Sequence, residues 1–263
     1  MNSHVRRFYR KFADEDVSSH LYHEVIALHE TPQVSWEEIT LKAPTLPRGW
    51  HELARLDPLD RIEFIRGFWL SALPYIPHVY SALDQFFSNL DDVGVYITQL
   101  SYDSLYECEI VYSVRNESCF FRGAPPASQE EIRSFSLHFN SMLPEDYLSF
   151  LKIHDGFSKN TDTGILKTKT VKLLYQQFQL QEISHLGKEI EPGDLIPFYE
   201  SFGLKNYQCF FAGWTPGKQI GNVYYSTAEK AISDCHNKQT WAQNLAFPTF
   251  SDWLIFYLED IGF

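Results

Sequence analysis

Hydrophobic positions change period along this chain, and each change marks an element. Leu143, Tyr147, Phe150, Leu151 and His154 fall at i, i+4, i+7, i+8 and i+11, a spacing that keeps them on one face of a helix. Pro144 suits the first turn, where its missing N–H has no partner to lose. Glu145 and Asp146 place negative charge at the positive end of the helix dipole. Glu145, Ser149 and Lys152 fall on the opposite face, expected to stay wet. Asp155-Gly156 supplies a stop, because glycine tolerates a left-handed C-terminal cap, and Phe157 is placed to fold back on Leu151. A helical stretch over 128–140 precedes this one. Strands are expected at 163–175, Leu195 to Tyr199, Tyr207 to Ala212 and Asn222 to Ser226. An amphipathic helix from Thr249 to Ile261 follows, carrying Phe250, Trp253, Leu254, Tyr257 and Leu258.

The first 125 residues read as helices and then strands. Leu21, Val25 and Leu28 share a helical face. Ser35-Trp36-Glu37-Glu38 matches a capping box. Asp57-Pro58 opens a helix with Leu59, Ile62, Ile65 or Phe68, and Trp69 at helical spacing, ended by Pro74, and a second apolar helix covers Val79 to Leu90. After Asp91-Asp92 the period shortens to that of strands: Val93 to Thr98, Tyr106 to Tyr112 and Ser118 to Phe121, joined by short turns as in an antiparallel meander. Cationic residues change type at the Gly123-Ala124-Pro125-Pro126 break, with nine Arg and two Lys before it and one Arg and ten Lys after it. The division therefore expected is a first α+β domain over 1–125 and a second domain over 126–263.

Composition narrows the function classes. The chain has 263 residues, 44% of them hydrophobic and 16% aromatic, enough for a substantial core. The net charge of −12, shared as −7 and −5 between the two parts, argues against nucleic acid as a partner and suits a basic protein. No secretory leader is expected, because no apolar run follows Arg6, Arg7, Arg10 and Lys11. The most apolar stretch, Phe64 to Leu90, is broken by charges and prolines, so no membrane insertion is expected. Cys108, Cys119, Cys209 and Cys235 lack paired spacing and read as reduced thiols in a cytoplasmic protein.

Catalytic and metal signatures are sparse. His20, His23 and Glu24, with His29 nearby, would lie together if that segment were helical, but a zinc site needs further ligands, so a polar helix face is the simpler reading. Cys108 and Cys119 can approach across neighbouring strands, yet buried thiols are simpler. There is no Gly-x-Ser-x-Gly elbow, dinucleotide fingerprint or phosphate loop. Gly213 to Lys218 reads as a turn between strands. No catalytic residue, cofactor or metal ligand is therefore assigned. Phe198, Tyr199, Phe202, Tyr207, Phe210, Phe211, Trp214, Tyr224 and Tyr225 crowd one span. Core packing is the simpler reading for most of them; exposed aromatics anchor interfaces, and Trp214 or Tyr199 are the candidates for exposure, with Glu200, Lys218 and Asp155 completing a candidate partner-binding set.

Leu143-Pro144-Glu145-Asp146-Tyr147, then Phe150-Leu151 and His154-Asp155-Gly156, carry a family resemblance. Leu195-Ile196-Pro197-Phe198, Val223-Tyr224-Tyr225 and Phe250-x-x-Trp253-Leu254 add to it. Together, over roughly 128–261, they resemble the SUKH superfamily, the group around the fungal Smi/Knr cell-wall-assembly regulators and many bacterial relatives. Asp155 stands where that family usually has Asn, and Lys205-Asn206 where a Gly-Asp pair is frequent. The resemblance implies an α+β domain with two N-terminal helices, a mostly antiparallel sheet and a closing C-terminal helix. It makes Leu143, Pro144, Asp146, Tyr147, Phe150, Leu151 and Gly156 a structural motif. It also implies a non-catalytic protein-binding module, foremost an immunity protein that neutralises a toxin domain; the acidic balance suits a toxin of basic character. The alternative it leaves open is a regulatory scaffold in cell-envelope or stress signalling. Residues 1–125 carry no resemblance, and an enzyme hidden there is a third reading.

Overall fold

The computed structural model describes residues 1–10, 22–115, 119–140 and 142–259. The chain separates into two compact units, Met1–Ser71 with Leu83–Pro125, and Ala72–Ala82 with Pro126–Phe263. Both are α+β.

Residues 1–125 contain α1 (Ser3–Arg10), β1 (Glu24–Ala27), α2 (Trp36–Lys42), α3 (Arg48–Ala54), α4 (Pro58–Ala72), α5 (Pro77–Ser88), β2 (Leu90–Gln99), β3 (Glu107–Val114) and β4 (Phe120–Gly123), all of the first unit except Ala72 of α4 and residues 77–82 of α5. The capping box at α2 forms as its sequence requires: Ser35 Oγ accepts from Glu38 N–H, and the Glu38 carboxylate accepts from Ser35 N–H. Strands β2, β3 and β4 form the antiparallel meander expected from their alternation. The helix expected through Val25 and Leu28 is instead strand β1, antiparallel to β2 with Val25 opposite Thr98. The helical spacing there was misleading, because Val25-Ile26 is β-branched and finds its partner far along the chain. Leu21 and His20 lie outside the described residues. Trp69 anchors the core of this unit, its indole N–H donating to Tyr112 Oη at 3.0 Å against Phe86 and Phe87. Beside it Arg61 donates twice to Asp92 Oδ1, at 3.1 and 2.8 Å, with both side chains buried.

The second unit begins with α6 (Gln129–His138), opened by a second capping box between Ser128 and Glu131. Helix α7 (Glu145–Phe150) follows, then β5 (Phe157–Lys159), β6 (Gly164–Ile165), α8 (Thr168–Phe178), β7 (Ile183–His185), β8 (Lys188–Ile190), β9 (Leu195–Glu200), β10 (Asn206–Phe211), β11 (Asn222–Ser226), β12 (Ala231–Ile232) and α9 (Phe250–Glu259). Strand order within the unit is β5-β6-β9-β10-β11-β12-β7-β8, antiparallel except for the parallel pair β12–β7. Residues 168–175 of the strand expected at 163–175 belong instead to helix α8, which runs on to Phe178. Thr168, Thr170 and Val171 look strand-like, but Val171, Leu174, Tyr175 and Phe178 repeat at i, i+3, i+4 and i+7, and Val171 and Phe178 are buried.

Strand β10 shows how the core divides. Tyr207, Cys209 and Phe211 join Phe178 of α8, Val223 and Tyr225 in one apolar cluster. Phe210, on the other face, packs against Tyr147, Phe198 and Phe250, with centroids 5.0, 4.3 and 6.4 Å away. The sheet is therefore covered on both faces, and the strand alternation sorts residues between two cores. Pro197 cannot donate to a ladder. It sits where the β9–β10 register shifts, a usual place for proline within a sheet.

Helix α7 is shorter than its spacing suggests. Pro144 is the N-cap, and after Phe150 the chain tightens through Lys152 N–H to Ser149 O and Ile153 N–H to Phe150 O. Tyr147, Phe150, Leu151 and His154 are buried as expected, and Gly156 takes the left-handed φ of 109°. Ser149, expected to be wet, is buried, and so is Asp146. The Asp146 carboxylate accepts from Tyr147 N–H at 3.0 Å and from Ser251 N–H and Oγ–H at 2.8 and 2.9 Å, which ties α7 to the first turn of α9. Burial pushes its pKa up, against the pull of those hydrogen bonds.

Candidate partner-binding surface

The five residues singled out for partner binding do not form one surface. Tyr199 and Glu200 lie at the β9–β10 turn, whereas Trp214 and Lys218 follow the far end of β10, about 20 Å away at ~3.3 Å per strand residue. Trp214 is buried in the α8-side cluster, its ring 5.4 Å from that of Trp241 and closed over by Gly221. Of the two readings for Trp214, core packing and exposure, the structure has the first: the β10–β11 connection folds back onto the core. Lys218 is exposed beside it. Asp155 accepts from the N–H and Oγ–H of Thr168 at 2.7 and 3.0 Å, satisfying the first turn of α8 from a distance. Burial raises its pKa while those bonds lower it.

The β9–β10 turn is built with more care than its length requires. Asp162, 4% exposed, accepts from Tyr199 Oη at 2.9 Å, Tyr257 Oη at 3.1 Å and Phe202 N–H at 2.7 Å. Lys159 N–H donates in turn to Tyr257 Oη at 2.8 Å. Gly164, at a φ of 77°, lets this segment pass the Phe157 carbonyl, which any Cβ there would strike. Leu204 N–H donates to Ser201 O at 2.9 Å, with Phe202 and Gly203 between them at φ of 47° and 67°. Positive φ at both central positions is the geometry of a type I′ hairpin turn, where Asn, Asp and Gly are favoured. A phenylalanine there is strained. Phe202 nevertheless holds this position with 60% of its surface exposed, and Leu204 beside it is 66% exposed. Lys205 and Glu200 flank them, with Lys205 N–H donating to Glu200 Oε1 at 3.3 Å.

The chemistry of this turn is that of holding, not of proton transfer. Asp162 is buried and accepts three hydrogen bonds from its own fold, leaving it little capacity for a substrate proton. What reaches solvent is an apolar pair on a fixed backbone. Tyr199, half-buried, packs on Trp253 and Tyr257 and supports the turn from beneath. The sequence offered one clue to Phe202, a bulky residue before Gly203 in a short connection between two strands. The aromatic count alone pointed to its neighbours.

Candidate ligands for a metal lie elsewhere. Among the described residues, His185, Cys235 and His236 place one ligand atom each within 4.8 Å of one another. Burial and the neighbouring His236 hold His185 below its usual pKa, and burial pushes the Cys235 thiol up to about 11. Cys235 and His236 line a cleft of about 490 Å³ together with Trp214, Pro216 and Trp241. His23, expected on a helix, precedes β1 and lines a cleft of about 420 Å³ with Arg6, Tyr9, Tyr22, Glu30 and Tyr96. Cys108, Cys119, Cys209 and Cys235 are all free and buried. No described helix is long and apolar enough to cross a membrane.

Residues 126–255 match the family model of the SMI1 / KNR4 family (SUKH-1). No curated protein matches the chain.

Proposed function

From the membership of residues 126–255 in the SUKH superfamily, we propose that this chain is a non-catalytic protein-binding module of the toxin-immunity type, docking its partner through the β9–β10 turn. The observation that carries the docking face is Phe202, an exposed aromatic kept at positive φ by a buried carboxylate. Backbone strain of this kind costs on the order of 1–2 kcal/mol and persists where surrounding structure holds it, often at binding sites. A rigid apolar anchor with a polar rim is the usual anatomy of an interface centre. Leu204 extends the apolar patch, and Lys205 and Glu200 supply the rim. The net charge of −12 favours a basic partner through long-range steering. The Asp162 hub, its carboxylate engaged by three hydrogen bonds of the fold, fits a binding role.

A second reading, a regulatory scaffold, draws support from the separate compact unit formed by Met1–Ser71 and Leu83–Pro125, which offers another surface. The two readings differ in deletion phenotype. An immunity protein is dispensable when no toxin is present, whereas loss of a scaffold disturbs growth or envelope stress responses without one. Capture of a toxin domain by the full chain, lost in Phe202→Asp with the fold intact, is the result expected for the first reading. Undiminished capture by Phe202→Asp would remove this turn from the interface.

A further inference from the structure

We propose that His185, Cys235 and His236 form a binding site for a borderline divalent transition-metal ion, of which Zn²⁺ is the best match. His185 lies far in sequence from the adjacent pair Cys235 and His236, and the parallel pairing of β7 with β12 brings them together. Ser184 is the register partner of Ala231, and Ser184 N–H donates to Lys230 O at 2.9 Å. His185 therefore emerges beside the chain that leaves β12.

Adjacent residues on an extended strand point to opposite faces, so Cys235 and His236 would ordinarily diverge. Here the backbone bends. Asp234 Oδ1 accepts from His236 N–H at 2.9 Å, an Asx-type turn two residues long. The bend is pinned from behind: Trp241 Nε1–H donates to Cys235 O at 2.9 Å, and Asn244 Nδ2–H donates to Asp234 O at 3.1 Å. The thiol and the imidazole are thereby held on the side of His185, whose ring centroid is 5.0 Å from that of His236. Positioning of ligands by an outer layer of hydrogen bonds is what working metal sites show.

His185 adds a second observation. Its side chain is buried, and its Nε2 has no hydrogen-bond partner among the described residues. A buried polar nitrogen left this way is costly, and a metal ion offers one way to engage the ring. Ring contact with Phe211 and the burial of Cys235 put one wall of the site against the apolar core. His236 is exposed and borders the cleft, so an ion can enter and keep water in its fourth position.

Two imidazoles and one thiolate suit Zn²⁺ and Co²⁺, whereas Mg²⁺ and Ca²⁺ require oxygen ligands. Bond lengths of about 2.0–2.1 Å to nitrogen and 2.3 Å to sulfur set ligand separations near ~3.5 Å in a tetrahedron. The ligand atoms, all within 4.8 Å, reach that by side-chain rotation. A three-ligand site also implies weaker, more exchangeable binding than a closed four-ligand zinc site.

The test uses the full chain, stripped with a chelator and titrated with Co²⁺, then competed with Zn²⁺. The expected result is one Co²⁺ per chain, with tetrahedral d–d bands and a thiolate-to-cobalt charge-transfer band that Zn²⁺ abolishes. Cys235→Ser should lose the charge-transfer band. His236→Ala, at an exposed position that does not risk the fold, should weaken Zn²⁺ binding by more than the roughly 10- to 100-fold that loss of an outer-layer partner costs. Absence of a thiolate band in the unaltered chain, or unchanged binding in His236→Ala, would overturn the assignment.

Discussion

The strain at Phe202 can be measured without any partner, by exchanging its side chain for alanine and for glycine. Both substitutions remove the same partly buried ring, so the lost packing cancels between them. They differ in their response to a φ of 47°. Alanine keeps a Cβ and with it a left-handed cost of about 1–2 kcal/mol, which glycine escapes. Glycine loses about 0.4–1 kcal/mol through the greater freedom of its unfolded chain. The difference leaves Phe202→Gly more stable than Phe202→Ala by about 0.5–1 kcal/mol. At an ordinary extended position the order is reversed, so the sign alone decides. Because the chain has two compact units, whole-chain denaturation need not be two-state. Native-state hydrogen exchange at β10 amides such as Cys209, which lies in the adjoining core, reads the stability of this unit directly. Slower exchange in the alanine variant than in the glycine variant would refute the strained turn, and with it the physical reason for regarding Phe202 as placed for binding.

Other positions give independent checks. Asp92→Ala takes the counter-ion from the buried Arg61 guanidinium and from the Met1 amino group and should cost about 3–5 kcal/mol of stability in the first unit, measured by exchange at β2 amides; a loss below ~1 kcal/mol would contradict the pairing. Tyr147→Phe removes a buried hydroxyl that has no partner among the described residues, so stability should hold or rise by up to ~1 kcal/mol, and a clear loss would reveal a hydrogen bond the fold conceals. Asp146 has its folded pKa raised above the ordinary 3.8 by burial, so the native state binds more protons than the unfolded state as pH rises from ~3.8 through the folded value. Its contribution is therefore largest at low pH and declines across that window. Asp146→Asn should flatten this decline in a stability–pH profile, and an unchanged slope would rule out the group as its source.

Much of the fold was legible because its signals are local. Ser35 with Glu38 and Ser128 with Glu131 form capping boxes from residues three apart, and the aromatic face of α7 turns inward as its spacing demands. What escaped depended on distant partners. Val25 and Leu28 sit at helical spacing, yet β1 exists because β2 lies beside it. Thr168 to Val171 favour a strand by type, but packing against β9 selects the helix. The exposed aromatic could not be chosen from composition. Trp214 and Phe202 lie in neighbouring connections, and only the way the chain returns over the core buries the first and leaves the second in solvent. The same holds for His185, Cys235 and His236, which no spacing rule joins and one parallel strand pair does.

The most direct test of the binding account is growth rescue. The full chain is co-expressed with each toxin domain encoded beside its gene, as the unaltered protein and as Phe202→Asp, with fold checked by circular dichroism. The account predicts that one toxin is neutralised by the unaltered chain, and that Phe202→Asp weakens the complex by at least ~2 kcal/mol, about 30-fold, as expected for a central anchor. Rescue by neither protein, or equal rescue by both, would contradict it.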